Sequence, residues 1–290
     1  MPNEVSLLTK GPSLTEQDVL DAIGGLHAEF LGIGSFGETW SIAGLEGVPD
    51  PSAAKILHEG SFNPRRLKRE TDALERLDSA GIVDLYEVRV VTLGGIDRTV
   101  LICELIPGMD VEDKLAIDGR PNYAHVRKFA MGLLIAVRDM HDADTWHRDI
   151  KPANILLRDG RWKSPVLIDF GLSRAVTDAT MTAYPQRVGT LRYMAPEALR
   201  GEPARKLADL WSCGVILYEL IAGTHPFISS FVGLAPDDVV DEVVGDPRPL
   251  PGDVPDDLRE LVLRLLSQSP HLRGSARRAI ETLKSGAARD

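Results

Sequence analysis

The chain has 290 residues, 43% hydrophobic and 26% charged, with a formal net charge of -10. That length supplies a sizeable core in one large domain or two lobes, and the near-ordinary composition excludes wholesale disorder and coiled coil. The acidic balance argues against nucleic acid or an anionic membrane surface as the principal partner.

Residues 1 to 26 read as an N-terminal extension. MPNEVSLLTKGP has no basic-then-apolar signal pattern. SLTEQDVLDAIGG then offers N-caps at Ser13 and Thr15, apolar positions at Val19, Leu20 and Ile23, and a Gly24-Gly25 stop, which together predict one short helix. From 27 to 105, the short apolar runs FLGIG, GETWSIAG, SAAKIL, LYEVRVVTL and RTVLICELI predict strands of an antiparallel sheet, with LGGIDR as a tight connection. One helix interrupts them: Asn63 is its cap, Pro64 its first residue, and Leu67, Leu74 and Leu77 share a face with Glu70. A carboxylate on an apolar stripe needs a partner, because burying it alone is costly.

After Pro107-Gly108 the pattern turns helical. HVRKFAMGLLIAVRDMH carries apolar residues at 126, 129, 133, 134, 137 and 140, and ADLWSCGVILYELIAG is apolar on nearly all sides, as a helix in the middle of a lobe would be. GDPRPLPGDVP is a loop, and DDLRELVLRLLSQ and ARRAIETL are expected to close the chain as helices. The two cysteines, Cys103 and Cys213, lie in apolar runs and read as reduced, buried thiols rather than a disulfide or zinc framework. Glu104 and Glu219 interrupt the longest apolar runs well short of a membrane span. The expectation is a cytoplasmic α+β protein with no membrane insertion. A small antiparallel β-sheet lobe with one key helix would cover 27–105, a larger mainly α-helical lobe 106–282, and a tail 283–290, with a cleft between the lobes.

Four stretches carry chemistry. LGIGSFGETW holds Gly32, Gly34 and Gly37 in the spacing G-x-G-x-x-G, which lets backbone N–H groups approach phosphate oxygens. The same spacing opens dinucleotide-binding folds, but no crossover helix follows here. Lys55 ends a strand-like run; alone it would lay its stem along the sheet and its ammonium in water, but Glu70 has a matching need for a partner. TWHRDIKPANILL crowds Asp149, Lys151 and Asn154 between apolar flanks. Asp169 follows the apolar run PVLI; by itself it could form a turn, and with Asn154 across a hairpin at RDGRWKSP it offers the hard oxygens that magnesium prefers.

In chain order, Gly32 to Gly37, Lys55, Glu70, His147-Arg148-Asp149 with Lys151 and Asn154, Asp169-Phe170-Gly171, Ala195-Pro196-Glu197, Asp209 and Arg273 resemble a eukaryotic-type (Hanks-type) serine/threonine protein kinase over about residues 28 to 280. The resemblance implies the two-lobed protein kinase fold and transfer of the ATP γ-phosphate to Ser/Thr hydroxyls of proteins, with autophosphorylation. It implies that the glycine-loop amides and Lys55, held by Glu70, orient the phosphates, and that Asn154 and Asp169 hold Mg2+ or Mn2+. Asp149 would accept the hydroxyl proton, Lys151 would lie against the transferring phosphate, and Thr190 would tie the two together. Adenine would sit under Thr39 and Ala53 with its edge on the backbone of Glu104 and Ile106. Lys151 and Gly189-Thr190 resemble the serine/threonine branch.

Thr39 and Ser52 stand where the family usually has valine, which narrows the apolar roof over adenine, and Cys103 stands at the gating position behind it. Arg148 resembles a sensor of activation-segment phosphate, which implies autophosphorylation at Thr182 or, failing that, Thr180; otherwise these threonines only make a polar loop. Glu197 and Arg273 resemble a buried structural pair, and Asp209 a residue that starts the buried helix. Two other readings stand beside this one. A small-molecule kinase is disfavoured by the intact GTLRYMAPE segment, and a pseudokinase-type binding module by the presence of Lys55, Asp149, Asn154 and Asp169. Some relatives carry a membrane anchor and sensor domain after the kinase; the input here is expected from elsewhere. Oligomeric state is left open.

Overall fold

The computed structural model describes residues 11–34, 36–59, 67–68, 71–72, 74–169, 191–203, 205–231, 234 and 236–287. The chain divides into two compact units, Met1–Asn63 with Asp84–Leu105, and Pro64–Val83 with Ile106–Asp290.

The first unit is built on a five-stranded antiparallel sheet of β1 (His27–Gly34), β2 (Gly37–Ala43), β3 (Ser52–Leu57), β4 (Leu85–Leu93) and β5 (Ile96–Glu104), in the order β1-β2-β3-β5-β4. Leu93 faces Ile96 across Gly94 and Gly95, at φ 60° and 82°; two left-handed residues close a hairpin whose twist matches the strands. Side chains alternate between the two faces, and residues directly opposite on antiparallel neighbours share one. One face therefore carries Trp40, Ala54 and Ile102; the other carries Thr39, Lys55 and Leu101, then Ser41, Ala53 and Cys103.

The first of these faces is closed by the N-terminal helix α1 (Glu16–Ile23), whose Val19 and Ile23 join Trp40, Ile42, Ala54, Ile56 and Ile102 in one apolar core. Thr15 caps α1 in a reciprocal box with Asp18, and Gly24 ends it at φ 95°. Of the two cap candidates in the sequence, Thr15 serves. Ser13 turns back to the sheet.

The second unit contains a small antiparallel sheet of β6 (Gly108–Asp110), β7 (Ile155–Arg158) and β8 (Pro165–Leu167), and the helices α2 (Val111–Asp118), α3 (Tyr123–Asp142), α4 (Pro196–Leu199), α5 (Lys206–Ala222), α6 (Pro236–Glu242), α7 (Asp256–Leu265), α8 (Pro270–Arg273) and α9 (Ala276–Ala287). Asn122 caps α3 by accepting from the His125 amide, and the stripe Val126, Phe129, Leu133, Leu134, Val137 and Met140 is buried as the spacing predicts. The helix α5 buries residues all around its circumference and ends at Gly223 in the left-handed conformation. Among the described residues no helix is long and apolar enough to cross a membrane.

Two boundaries differ from those read in the sequence. The segment 64–83, expected with the sheet, groups with the helical unit. Leu74 and Leu77 pack on the helical core, Ile82 bridges Leu167, and the Val83 amide donates to the Leu167 carbonyl. The last helix also runs through residue 283 to Ala287.

Candidate active site

The loop between α3 and β7 is fixed from behind by Asp209, in the first turn of α5 and 1% exposed. Its carboxylate accepts from the backbone amides of His147 (3.1 Å) and Arg148 (2.8 Å) and faces His141 Nε2 at 2.9 Å. Three donors satisfy a charge that burial would otherwise penalise heavily. They also hold Arg148 at φ 69°, a left-handed conformation that costs a non-glycine residue on the order of 1 to 2 kcal/mol.

His147 is wholly buried. Its Nε2 donates to the Ile168 carbonyl at 2.8 Å and its Nδ1 accepts from the Asp149 amide at 3.3 Å, which assigns the neutral tautomer protonated at Nε2. One imidazole thus joins the loop to the end of β8.

The loop's polar groups then organise one another. Asp149 Oδ2 accepts from Lys151 Nζ at 2.9 Å and from Asn154 Nδ2 at 3.1 Å, and Asn154 Nδ2 also donates to the Asp149 carbonyl at 2.8 Å. Because Oδ2 serves both donors, Oδ1 is the oxygen with capacity for an incoming proton. Because Asn154 spends its amide nitrogen, its Oδ1 is the atom able to act as a ligand. Antiparallel pairing sets Ile155 opposite Leu167, and the next step, Ile168 amide to Asn154 carbonyl at 3.0 Å, brings Asn154 beside the residue before Asp169. Asp169 itself sits at φ 64°.

In the sheet unit, Gly34 pairs with Gly37 and Gly32 with Thr39. A Cβ at Gly37 would overlap the Ile56 carbonyl, so neighbouring backbone demands glycine there. Among the described residues nothing lies within 4 Å of an added Cβ at Gly32 or Gly34; no packing against the described residues accounts for these two. Thr39, Ala53 and Lys55 lie on the sheet face away from α1. The Glu104 amide donates to the Asp84 carbonyl at 2.9 Å, which ties the end of β5 to the start of β4. Ile106 is buried in the helical unit.

Glu197 of α4 and Arg273 of α8 form a two-pronged pair at 2.6 and 2.9 Å, with Arg273 fully buried, bonded also to the Ser267 and Leu207 carbonyls and stacked over Trp211. Glu70, Thr180, Thr182 and Thr190 lie outside the described residues.

The sequence reading did not assign Trp146 or the group around Glu219. Trp146 supports the Arg148 guanidinium at 4.9 Å. Glu219 accepts from Arg192 Nε at 2.7 Å and from the Tyr193 hydroxyl at 2.9 Å; burial raises its pKa against the pull of Arg192. His225 donates to the Arg192 carbonyl and accepts the Ile228 amide, and burial pushes it down to about 4. The available signal was Glu219 itself, a carboxylate interrupting an apolar helix, the same logic that flags Glu70.

The sequence pattern of the protein kinase domain matches residues 27–283. The chain belongs to the protein kinase family. This kinase domain is similar to the serine/threonine-protein kinase PkaB of Streptomyces coelicolor, 33% identical over 83% of this chain and 58% of that one. It is also similar to PkaA of the same organism, 32% identical over 87% and 48%, and to PknA of Mycobacterium tuberculosis, 30% identical over 84% and 56%. The chain spans between 24% and 58% of the length of the curated relatives it matches. Protein kinase domains in general use ATP and a divalent metal. The donors here suit one: Asn154 Oδ1 and the Asp169 carboxylate are hard oxygens, and magnesium is typically held by one or two carboxylates together with substrate phosphates.

Proposed function

We propose that the chain is a serine/threonine protein kinase that transfers the γ-phosphate of ATP to hydroxyls of proteins and to itself. The observation that carries this reading is the Asp149, Lys151 and Asn154 cluster, in which one carboxylate oxygen is held by two donors and the other is left to act. The names of the relatives, all serine/threonine-protein kinases, support the choice of acceptor.

Phosphoryl transfer passes through a loose transition state, so positioning and charge neutralisation do most of the work. Asp149 Oδ1 orients the acceptor hydroxyl and takes its proton as the oxygen attacks phosphorus and ADP leaves. Lys151, which gives one of its three N–H donors to Asp149, sets its positive charge against the transferring phosphate. In the sheet unit, the amides near Gly32, Gly34 and Gly37 and the Lys55 ammonium bind the ATP phosphates, with Glu70 as the partner of Lys55. Thr39 and Ala53 cover adenine, and the backbone of Glu104 and Ile106 meets its edge. Asn154 and Asp169 hold magnesium, which when bound neutralises charge on the phosphate oxygens.

Thr190 belongs to this reading as the link between Asp149 and Lys151, and Arg148 as the cation for phosphate at Thr182 or Thr180. Phosphopeptide mass spectrometry of wild type and Asp149→Asn addresses the latter: modification persisting in the variant excludes autophosphorylation. A cytoplasmic location and protein rather than nucleic-acid substrates complete the proposal, the choice of substrate supported by the net charge of -10. The deciding assay supplies labelled ATP and a generic protein substrate, with and without magnesium. Metal-dependent label on serine or threonine supports the proposal; no transfer to any protein, including the enzyme itself, overturns it.

A further inference from the structure

Glu38 is the first residue after the last glycine of the hairpin, opposite Ile33 and therefore between Gly32 and Gly34 in register. Its side chain points to the α1 face of the sheet and is 2% exposed. A carboxylate in that position needs donors, and the N-terminal extension provides them. Glu38 Oε1 accepts from the Ser13 amide at 2.7 Å and from the Ser13 hydroxyl, and its other oxygen accepts only a longer bond, 3.3 Å, from Trp40 Nε1. The next two residues hold Ser13 in place: Leu14 packs on the same core, and Thr15 caps α1.

We infer that Ser13 and Glu38 form a latch through which the N-terminal extension positions the glycine hairpin and so sets the enzyme's affinity for ATP. The inference rests on the reading of Gly32 and Gly34 as phosphate-binding positions. Its physical basis is that Glu38 is buried on the strand between Gly32 and Gly34 in register, so a shift of its carboxylate after loss of the Ser13 donor is passed to that strand. That strand is hydrogen-bonded to β1 at Ile33 and to β3 at Ile56, so the shift moves the hairpin amides relative to Lys55. Ser13 is thus a positioning residue, acting on ATP through β2.

The test measures kcat, KM for ATP and melting temperature on the full chain. Ser13→Ala is expected to raise KM for ATP on the order of threefold to tenfold with kcat within about twofold, since one strong hydrogen bond to a charged group is lost outside the reacting centre. Ser13→Thr keeps the hydroxyl and should restore wild-type KM, while Ser13→Glu, which sets a second carboxylate against Glu38, should exceed Ser13→Ala. In the Glu38→Ala background, Ser13→Ala should change nothing further, because the pair acts as a unit. A Ser13→Ala enzyme with lowered melting temperature and unchanged KM for ATP would show a merely structural contact and overturn the latch. Gly34→Val separates the two readings. If it raises KM and Ser13→Ala does not, the latch alone is wrong; if it leaves KM unchanged, the phosphate-binding assignment falls and takes the latch with it.

Discussion

The glycine-rich hairpin and the charged loop of this kinase are held in opposite ways. In the helical unit, the loop at 147–154 is fixed by dense buried hydrogen bonding: Asp209 takes two backbone amides, His147 ties the loop to Ile168, and Lys151 and Asn154 converge on one oxygen of Asp149. In the sheet unit, no described residue comes within 4 Å of a Cβ added at Gly32 or Gly34, and the hairpin is held by strand pairing, with Glu38 bonded to Ser13 on the opposite face. On the proposed reading, a loop that takes a proton benefits from groups locked before substrate arrives, and a hairpin that wraps phosphates benefits from amides left open to them.

The comparison can be broken most severely at Asp149. Asp149→Asn keeps the shape of the loop and removes the proposed base, so the transfer rate should fall on the order of a hundredfold to ten-thousandfold, read by labelled ATP. Arg273→Met comes next. It strands the buried Glu197 carboxylate and should cost about 3 to 5 kcal/mol in urea unfolding with no direct effect on nucleotide binding.

The third prediction concerns pH. His225 is held neutral, with a pKa of about 4 against an unfolded value of 6.5, so between those pH values the unfolded chain binds more protons. Stability then falls as pH drops from 6.5 towards 4, by about 2 to 3 kcal/mol from this group. Urea midpoints at pH 7 and pH 5 should differ less in His225→Gln than in wild type. The smallest effects separate the glycines: Gly37→Ala must displace the Ile56 carbonyl and should cost about 1 to 3 kcal/mol, whereas a Cβ at Gly34 meets no described residue within 4 Å, so Gly34→Val should leave stability within about 0.5 kcal/mol.

Legibility in the sequence divides along the same line. Periodicity reports which face of an element is buried, so the six apolar positions of α3 and the end of β4 before Gly94-Gly95 were readable in advance, while β5 begins at Ile96, two residues before the run read as its strand. Offsets within one loop were readable too, because Asp149, Lys151 and Asn154 are close in space by being close in sequence. Partners distant in the chain were not readable from local pattern; the pairing of Glu197 with Arg273 came from the family resemblance. Asp209 meets amides more than sixty residues away, and Ser13 looked like a helix cap because its hydroxyl chemistry is the same whether it meets an N-terminus or Glu38. The placement of 64–83 rests on contacts of Leu74, Leu77, Ile82 and Val83 with the helical core, which no local pattern encodes.

The most direct test of the division is the kinetic signature of one substitution in each loop, kcat and KM for ATP measured side by side in Asp149→Asn and Gly34→Val. The account predicts that Asp149→Asn lowers kcat with KM for ATP within about threefold, and that Gly34→Val raises KM on the order of tenfold with a much smaller change in kcat. If Asp149→Asn retains wild-type kcat, or Gly34→Val lowers kcat alone, the roles given to the two loops are wrong.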